Sequence, residues 1–177
     1  MEKIIISIGR KNLPINNFFI ELSKELIKNN IKPILIVNGK VDYINDKLKM
    51  HSQIMVLQWP SISPSYIRDI IFLSKIILKQ NPNWIIANMR FQNIILLTSF
   101  ILSVPSVIAW VHTSFNNKEE YSKRFDWLNR RLKSSLFKTA NKIIPVSRFL
   151  RKILRDKYSL NNKNIIPINN ALKDPLQ

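Results

Sequence analysis

Short unbroken apolar runs alternate with longer stretches of helical spacing along the whole chain, and that alternation leaves few folds open. Runs such as Ile4-Ile5-Ile6 and Ile34-Leu35-Ile36-Val37 carry no polar residue at every second position. A strand of this kind must be covered on both faces, which is the condition of a parallel sheet wrapped by helices. Seven segments qualify as strands: Lys3–Ile8, Pro33–Val37, Ile54–Leu57, Trp84–Asn88, Ser106–His112, Lys142–Val146 and Asn164–Ile168. The expected class is α/β, a doubly wound, mostly parallel sheet of about seven strands.

The intervening segments read as helices. Asn16 or Asn17 is placed to cap one that runs to Lys28, with Phe19, Leu22, Leu26 and Ile27 inward. Ser63-Pro64 is a cap followed by a proline at the first helical position, and this helix runs to about Gln80. Phe91–Leu102 is apolar nearly all round and reads as buried. Lys118–Thr139 spaces Tyr121, Phe125, Leu128, Leu132 and Leu136 as an inward stripe, and Ser147 can cap a last helix carrying Leu150, Ile153 and Leu154. Gln92 to Val111 holds no charge over twenty residues, so a membrane span must be weighed. Ser103, Pro105 and Ser106 interrupt it, and a buried helix followed by a central strand accounts for it better. The N-terminal apolar run is too short for a signal peptide and reads as a first strand.

With 177 residues and no internal repeat or low-complexity linker, one domain with a substantial core is expected. Without cysteine there is neither a disulfide framework nor a thiolate zinc site. The net charge of +17 favours polyanionic partners, a nucleic acid or an anionic membrane. A chain saturated with Lys, Asn and Ile also fits an AT-rich coding sequence, so position says more than the total. Between Lys118 and Lys157 there are 13 basic and 4 acidic residues, a net of +9. Lys123, Arg130, Arg131, Lys133 and Lys138 fall largely off the apolar stripe of the long helix, and Arg148, Arg151, Lys152 and Arg155 belong to the next. Together they form an expected anion-facing surface. Nucleic acid has charge alone behind it, since no RRM, KH, zinc-finger or helix-turn-helix signature is present.

The last forty residues hold the most specific pattern. Asn141-Lys-Ile-Ile-Pro-Val-Ser147 is a short strand ending in Ser147, a basic amphipathic helix follows, and Asn164-Ile-Ile-Pro-Ile-Asn169-Asn170 is a second strand stopping at an Asn pair. With Val111-His112-Thr113, these landmarks resemble the N-terminal, acceptor-side domain of GT4-type glycosyltransferases of the GT-B fold. There a Val-Ser strand end, a helix, a strand and an Asn-Gly turn lead into the donor-binding domain. The resemblance implies a Rossmann-like domain over residues 1–170, the start of an inter-domain linker at 171–177, and a donor-binding half that the chain lacks. It implies a half-enzyme of polysaccharide or cell-envelope glycan assembly, inactive alone. Its partners would be a nucleotide-sugar donor and a glycan or lipid-linked acceptor, with no cofactor. The expected location is cytoplasmic, peripheral at the inner face of the plasma membrane. A non-catalytic remnant and a basic nucleic-acid-binding domain stand as alternatives.

The resemblance implies a site at the carboxyl edge of the sheet, where open α/β sheets bind ligands. His112 is the catalytic candidate, since a His at this strand end lines the cleft near the transferred sugar in the family. A neutral imidazole there can accept or donate a hydrogen bond; the competing role is structural. Gly9, Arg90, Thr113 and Ser147 are the candidate substrate-binding residues. Gly9 can let backbone approach a ligand or merely turn the chain. Arg90 can grip an anionic acceptor group or cap a strand end in solvent. Ser147 has no base paired with it in sequence and also reads as a helix cap. His51 has no such context. No metal-ligand spacing, paired carboxylates, G-x-G-x-x-G or P-loop occurs.

Overall fold

The computed structural model describes residues 1–9, 14–39, 42–48, 51–62, 66–88, 91–112, 123–161 and 164–168. The first strand, β1 (Glu2–Ile8), leads through α1 (Pro14–Lys28) to β2 (Ile31–Val37), α2 (Asp42–Leu48) and β3 (Met55–Gln58). The chain continues through α3 (Tyr66–Gln80), β4 (Trp84–Asn88), α4 (Gln92–Ile101), β5 (Ser106–Val111), α5 (Lys123–Lys138), β6 (Lys142–Pro145) and α6 (Arg148–Tyr158). All strand pairs are parallel, in the order β3-β2-β1-β4-β5-β6. This is the order of doubly wound Rossmann sheets, and it confirms the fold class read from the sequence.

The sheet has six strands among the described residues, where about seven are expected. Residues 164–168 do run beside β6, with Ile143 and Ile165 bridged in parallel. Ile166 N–H donates to the Ile143 carbonyl (2.9 Å) and Ile168 N–H to that of Pro145 (3.0 Å). The next rung of a parallel ladder needs an N–H from Pro145, and proline has none. The seventh segment is therefore an edge held by one bridge.

Burial explains the doubly covered sheet. On one face Ile4, Ile6 and Ile8 of β1 and Leu35 and Val37 of β2 pack against Phe19 and Ile20 of α1 and Ile44 and Leu48 of α2. On the other, Ile5, Ile34, Ile36 and Ile85 meet Leu73 of α3, Ile95 of α4, Phe137 of α5 and Leu154 of α6. Each such side chain contributes about 1.5–3 kcal/mol by leaving water, which is why the isoleucine runs have no polar alternate.

Several details depart from the sequence reading. α1 starts at Pro14, where proline suits the first helical turn, so Asn16 lies inside the helix and does not cap it. α2 has no counterpart in the sequence reading: its seven residues bury only Ile44 and Leu48 among the side chains described. α4 buries Ile94, Ile95 and Leu96, yet its last turn exposes Phe100 and Ile101. α5 is rotated so that Phe137 shares the inner face with Leu136, while Leu132 is 57% exposed. Tyr121 and the side chains of Phe125 and Leu128 lie outside the described residues, as do Ser63 and Pro64. The uncharged stretch Gln92–Val111 is divided between α4 and β5 by a turn in which Ser103 has φ 52°. Among the described residues no helix is long and apolar enough to cross a membrane.

Candidate functional site

Because every strand is parallel, all six carboxyl ends open on one rim. The crossover from β1 goes through α1 to one face of the sheet, and that from β4 through α4 to the other. A crevice therefore opens between β1 and β4, where the winding reverses, and such switch points are where open α/β sheets take ligands.

His112 stands on this rim, one residue past the end of β5. Ile108, Trp110 and His112 alternate toward the α1 side, where Trp110 belongs to the buried core. The imidazole lies over Trp110, with centroids 6.1 Å apart and planes at 23°, and meets the edge of Phe19 at 6.4 Å. Phe18 and Phe19 each pack 5.4 Å from the Trp110 ring. Burial in this aromatic setting lowers the His112 pKa from 6.5 to about 4, because the cation loses its hydration without gaining a counter-charge. The ring is neutral near neutral pH. It therefore offers nitrogens for hydrogen bonding and no positive charge.

The neighbouring strand adds a residue that sequence reading left out of the site. Asn88 ends β4, is fully buried, and pairs in register with Trp110. Its Nδ2 donates to the Ser7 carbonyl (3.4 Å). Its Oδ1, the Trp110 Nε1 and the His112 Nε2 are buried with no hydrogen-bond partner among the described residues. Leaving such groups unpaired costs about 1–3 kcal/mol each. Their chemistry is that of partners for a hydroxyl, which can donate to the amide oxygen or accept from the indole N–H. The available signal was a polar residue closing the apolar run Trp84-Ile-Ile-Ala-Asn88.

The rim is braced from both sides. Asn16 of α1 exchanges two hydrogen bonds with Gly9, its Oδ1 accepting from Gly9 N–H and its Nδ2 donating to Gly9 C=O, both 3.1 Å. Gly9 is thus fixed at the end of β1, while the left-handed turn belongs to Gly39 (φ 102°). Gln92 opens α4 and its Nε2 donates to the carbonyls of Ala87 (3.3 Å) and Trp110 (3.1 Å), tying β4 to β5 next to His112.

Ser147 follows β6 and acts as the cap of α6: its Oγ accepts from Leu150 N–H at 3.1 Å, with extended backbone at φ −159°. Arg90, Thr113 and the Asn169-Asn170 turn lie outside the described residues, as do the side chains of Lys123 and Arg130. Arg131, Lys133 and Lys138 are on the last turns of α5, where Arg131 and Lys133 have partners within the fold. Arg148, Arg151, Lys152 and Arg155 line one cavity beside α6. Among the described residues no group of three or more His, Asp or Glu side chains is arranged to hold a metal.

Residues 15–173 match the family model of Glycosyltransferase Family 4. The chain belongs to that family. No curated protein matches it. Among solved structures, a glycosyltransferase from Rickettsia africae is 17% identical with a TM-score of 0.68, aligning 95% of this chain with 42% of that one. Anabaena Alr3699/HepE, solved in complex with UDP, is 14% identical with a TM-score of 0.69, covering 97% of this chain and 44% of its own. MurG from Acinetobacter baumannii is 7% identical at a TM-score of 0.62, with coverage of 98% and 47%. The chain spans less than half the length of each. At these identities the likeness is one of fold, and with the family match it identifies the glycosyltransferase family 4 chain as the N-terminal, Rossmann-like domain of a GT-B architecture.

Proposed function

We propose that residues 1–170 form the acceptor-side domain of a glycosyltransferase that moves a sugar from a nucleotide-activated donor to a glycan or lipid-linked acceptor. In this reading 171–177 begin the connection to a donor-binding half, and the work is cell-envelope glycan or polysaccharide assembly at the cytoplasmic face of an anionic membrane. The carrying observation is the neutral His112 on the switch-point rim, stacked on Trp110, with its Nε2, the Trp110 Nε1 and the Asn88 Oδ1 all buried without a hydrogen-bond partner among the described residues. A hydroxyl-rich substrate matches those groups; an anionic one finds no cation among them. Gly9 frames the floor of the crevice, and Arg90 and Thr113 follow the strands that carry Asn88 and His112. Ser147 spends its hydroxyl on α6 and contributes by setting that helix at the rim.

Nucleotide recognition falls to the other half in this reading, and transfer needs both substrates held in register. The 177-residue chain alone therefore gives no sugar transfer, and mixing it with a donor-binding half of the same family restores it. In the restored enzyme His112→Ala lowers kcat/KM by about 10- to 100-fold, the scale of one well-placed hydrogen bond of roughly 1.5–3 kcal/mol. Circular dichroism of the variant stays that of the parent. Transfer by the chain alone, or full turnover by the variant, overturns the proposal.

A further inference from the structure

The four-cation cavity on α6 is a different surface from the rim. Arg148, Arg151, Lys152 and Arg155 recur at the spacing that puts side chains on one side of a helix, and among the described residues they line a hollow of about 350 Å³. Arg148 and Arg155 stand about 10 Å apart along the helix axis. The single carboxylate on α6, Asp156, is paired to Arg155 at 2.7 Å. The side chains of Arg148, Arg151 and Lys152 have no close ion pair or hydrogen bond among the described residues, and Lys152 feels Asp156 only through its charge. The adjoining face of the helix is anchored in the core by Leu150, Leu154 and Tyr158, which holds the row at the surface, with Arg148, Lys152 and Arg155 exposed and Arg151 half-buried. Beside it Phe149 is 65% exposed, a large ring held in water at the first turn. α5 differs, because Arg131 and Lys133 are already engaged within the fold.

We propose that α6 is an interfacial docking helix for an anionic phospholipid bilayer, with Arg148, Arg151, Lys152 and Arg155 seated among headgroup phosphates and Phe149 inserted at the acyl boundary. A row of surface cations near an exposed ring, on a helix fixed by its apolar face, has the two-part chemistry of the headgroup layer: phosphate for the guanidinium forks and hydrocarbon for the ring. A free phosphate ligand would use the cations and leave Phe149 without a role. α6 begins at Ser147 on the sheet rim, so its first turn, with Arg148 and Phe149, is the part of the docking helix nearest the crevice. This deepens the lipid-side part of the proposed function by naming the element that meets the membrane.

The test is co-sedimentation of the whole chain with vesicles of 30 mol% phosphatidylglycerol in phosphatidylcholine, against pure phosphatidylcholine. Binding is expected only with the anionic lipid and is expected to fade as salt rises. Each cation near such a surface is worth roughly fivefold in affinity, so Arg148→Gln with Arg151→Gln lowers it about 25-fold, while Lys133→Gln on α5, already engaged within the fold, changes it less than that per charge. Phe149→Ala, at an exposed position that leaves the fold intact, lowers vesicle binding without lowering the affinity for inorganic pyrophosphate. Equal binding to neutral vesicles, an undiminished double variant, or displacement by millimolar pyrophosphate with Phe149→Ala unaffected overturns bilayer docking; the last result assigns the cavity to free phosphates. Tighter binding to a nucleic acid than to any vesicle overturns it as well. None of these readouts involves sugar transfer, so they fail or succeed separately from the transferase reading.

Discussion

Phe19→Ala is expected to destabilise the fold by about 3–5 kcal/mol, the cost of deleting a fully buried aromatic ring from a packed core. Phe19 stands where α1 meets the sheet: one edge packs on Trp110 and another meets His112. The cavity left behind opens under both rings, so the loss extends from stability to the site. A drop in the urea midpoint of this size, with an unchanged dependence on denaturant, is the expected measurement. Phe19→Leu keeps most of the volume and restores most of the stability, but removes the aromatic edge from His112. A full-stability Phe19→Ala would mean that Trp110 and His112 are held by something other than α1.

The second large effect is acid sensitivity seated at His112. Its folded pKa, about 4, lies below the ordinary 6.5, so between these values the unfolded chain binds a proton that the folded chain refuses. Folding stability is complete above pH 6.5 and is lost as pH falls toward 4, by at most about 3 kcal/mol from this group. Urea unfolding at pH 7.5 and pH 5 measures it. The drop between the two should be smaller in His112→Gln, whose side chain cannot titrate. An equal drop in both proteins would place the acid sensitivity elsewhere.

The fold was legible because its isoleucine runs admit no half-exposed strand; Ile4 to Ile6 and Ile34 to Val37 must be covered on both faces, and they are. What escaped sequence reading depends on atoms brought together across the fold. Asparagine favours caps, so Asn16 and Asn17 both read as candidates, whereas the Asn16 carboxamide reaches the Gly9 backbone seven residues earlier. Asn88 looked like the end of an apolar run; its importance comes from the register that sets it beside Trp110. Leu132 fits the helical period, yet the face α5 presents is chosen by Phe137 meeting Tyr158 of α6, with ring centroids 5.8 Å apart. Periodicity alone cannot supply such a partner. His112 was legible as a rim residue, but its neutrality follows from the rings around it.

The place of β1 has a consequence in time. Its two neighbours are β2 and β4, and the bond between Lys3 N–H and the Asn83 side chain (3.0 Å) spans 80 residues of sequence. Translation proceeds at roughly 5–20 residues per second, so the first strand leaves the ribosome several seconds before half of its pairing exists. For that interval β1 and β2 are a two-stranded fragment whose apolar inner edge faces the cell. Long-range parallel pairing of this kind is slow to form and open to aggregation. The order of the sheet thus leaves the nascent β1 edge unpaired until β4 arrives to cover it.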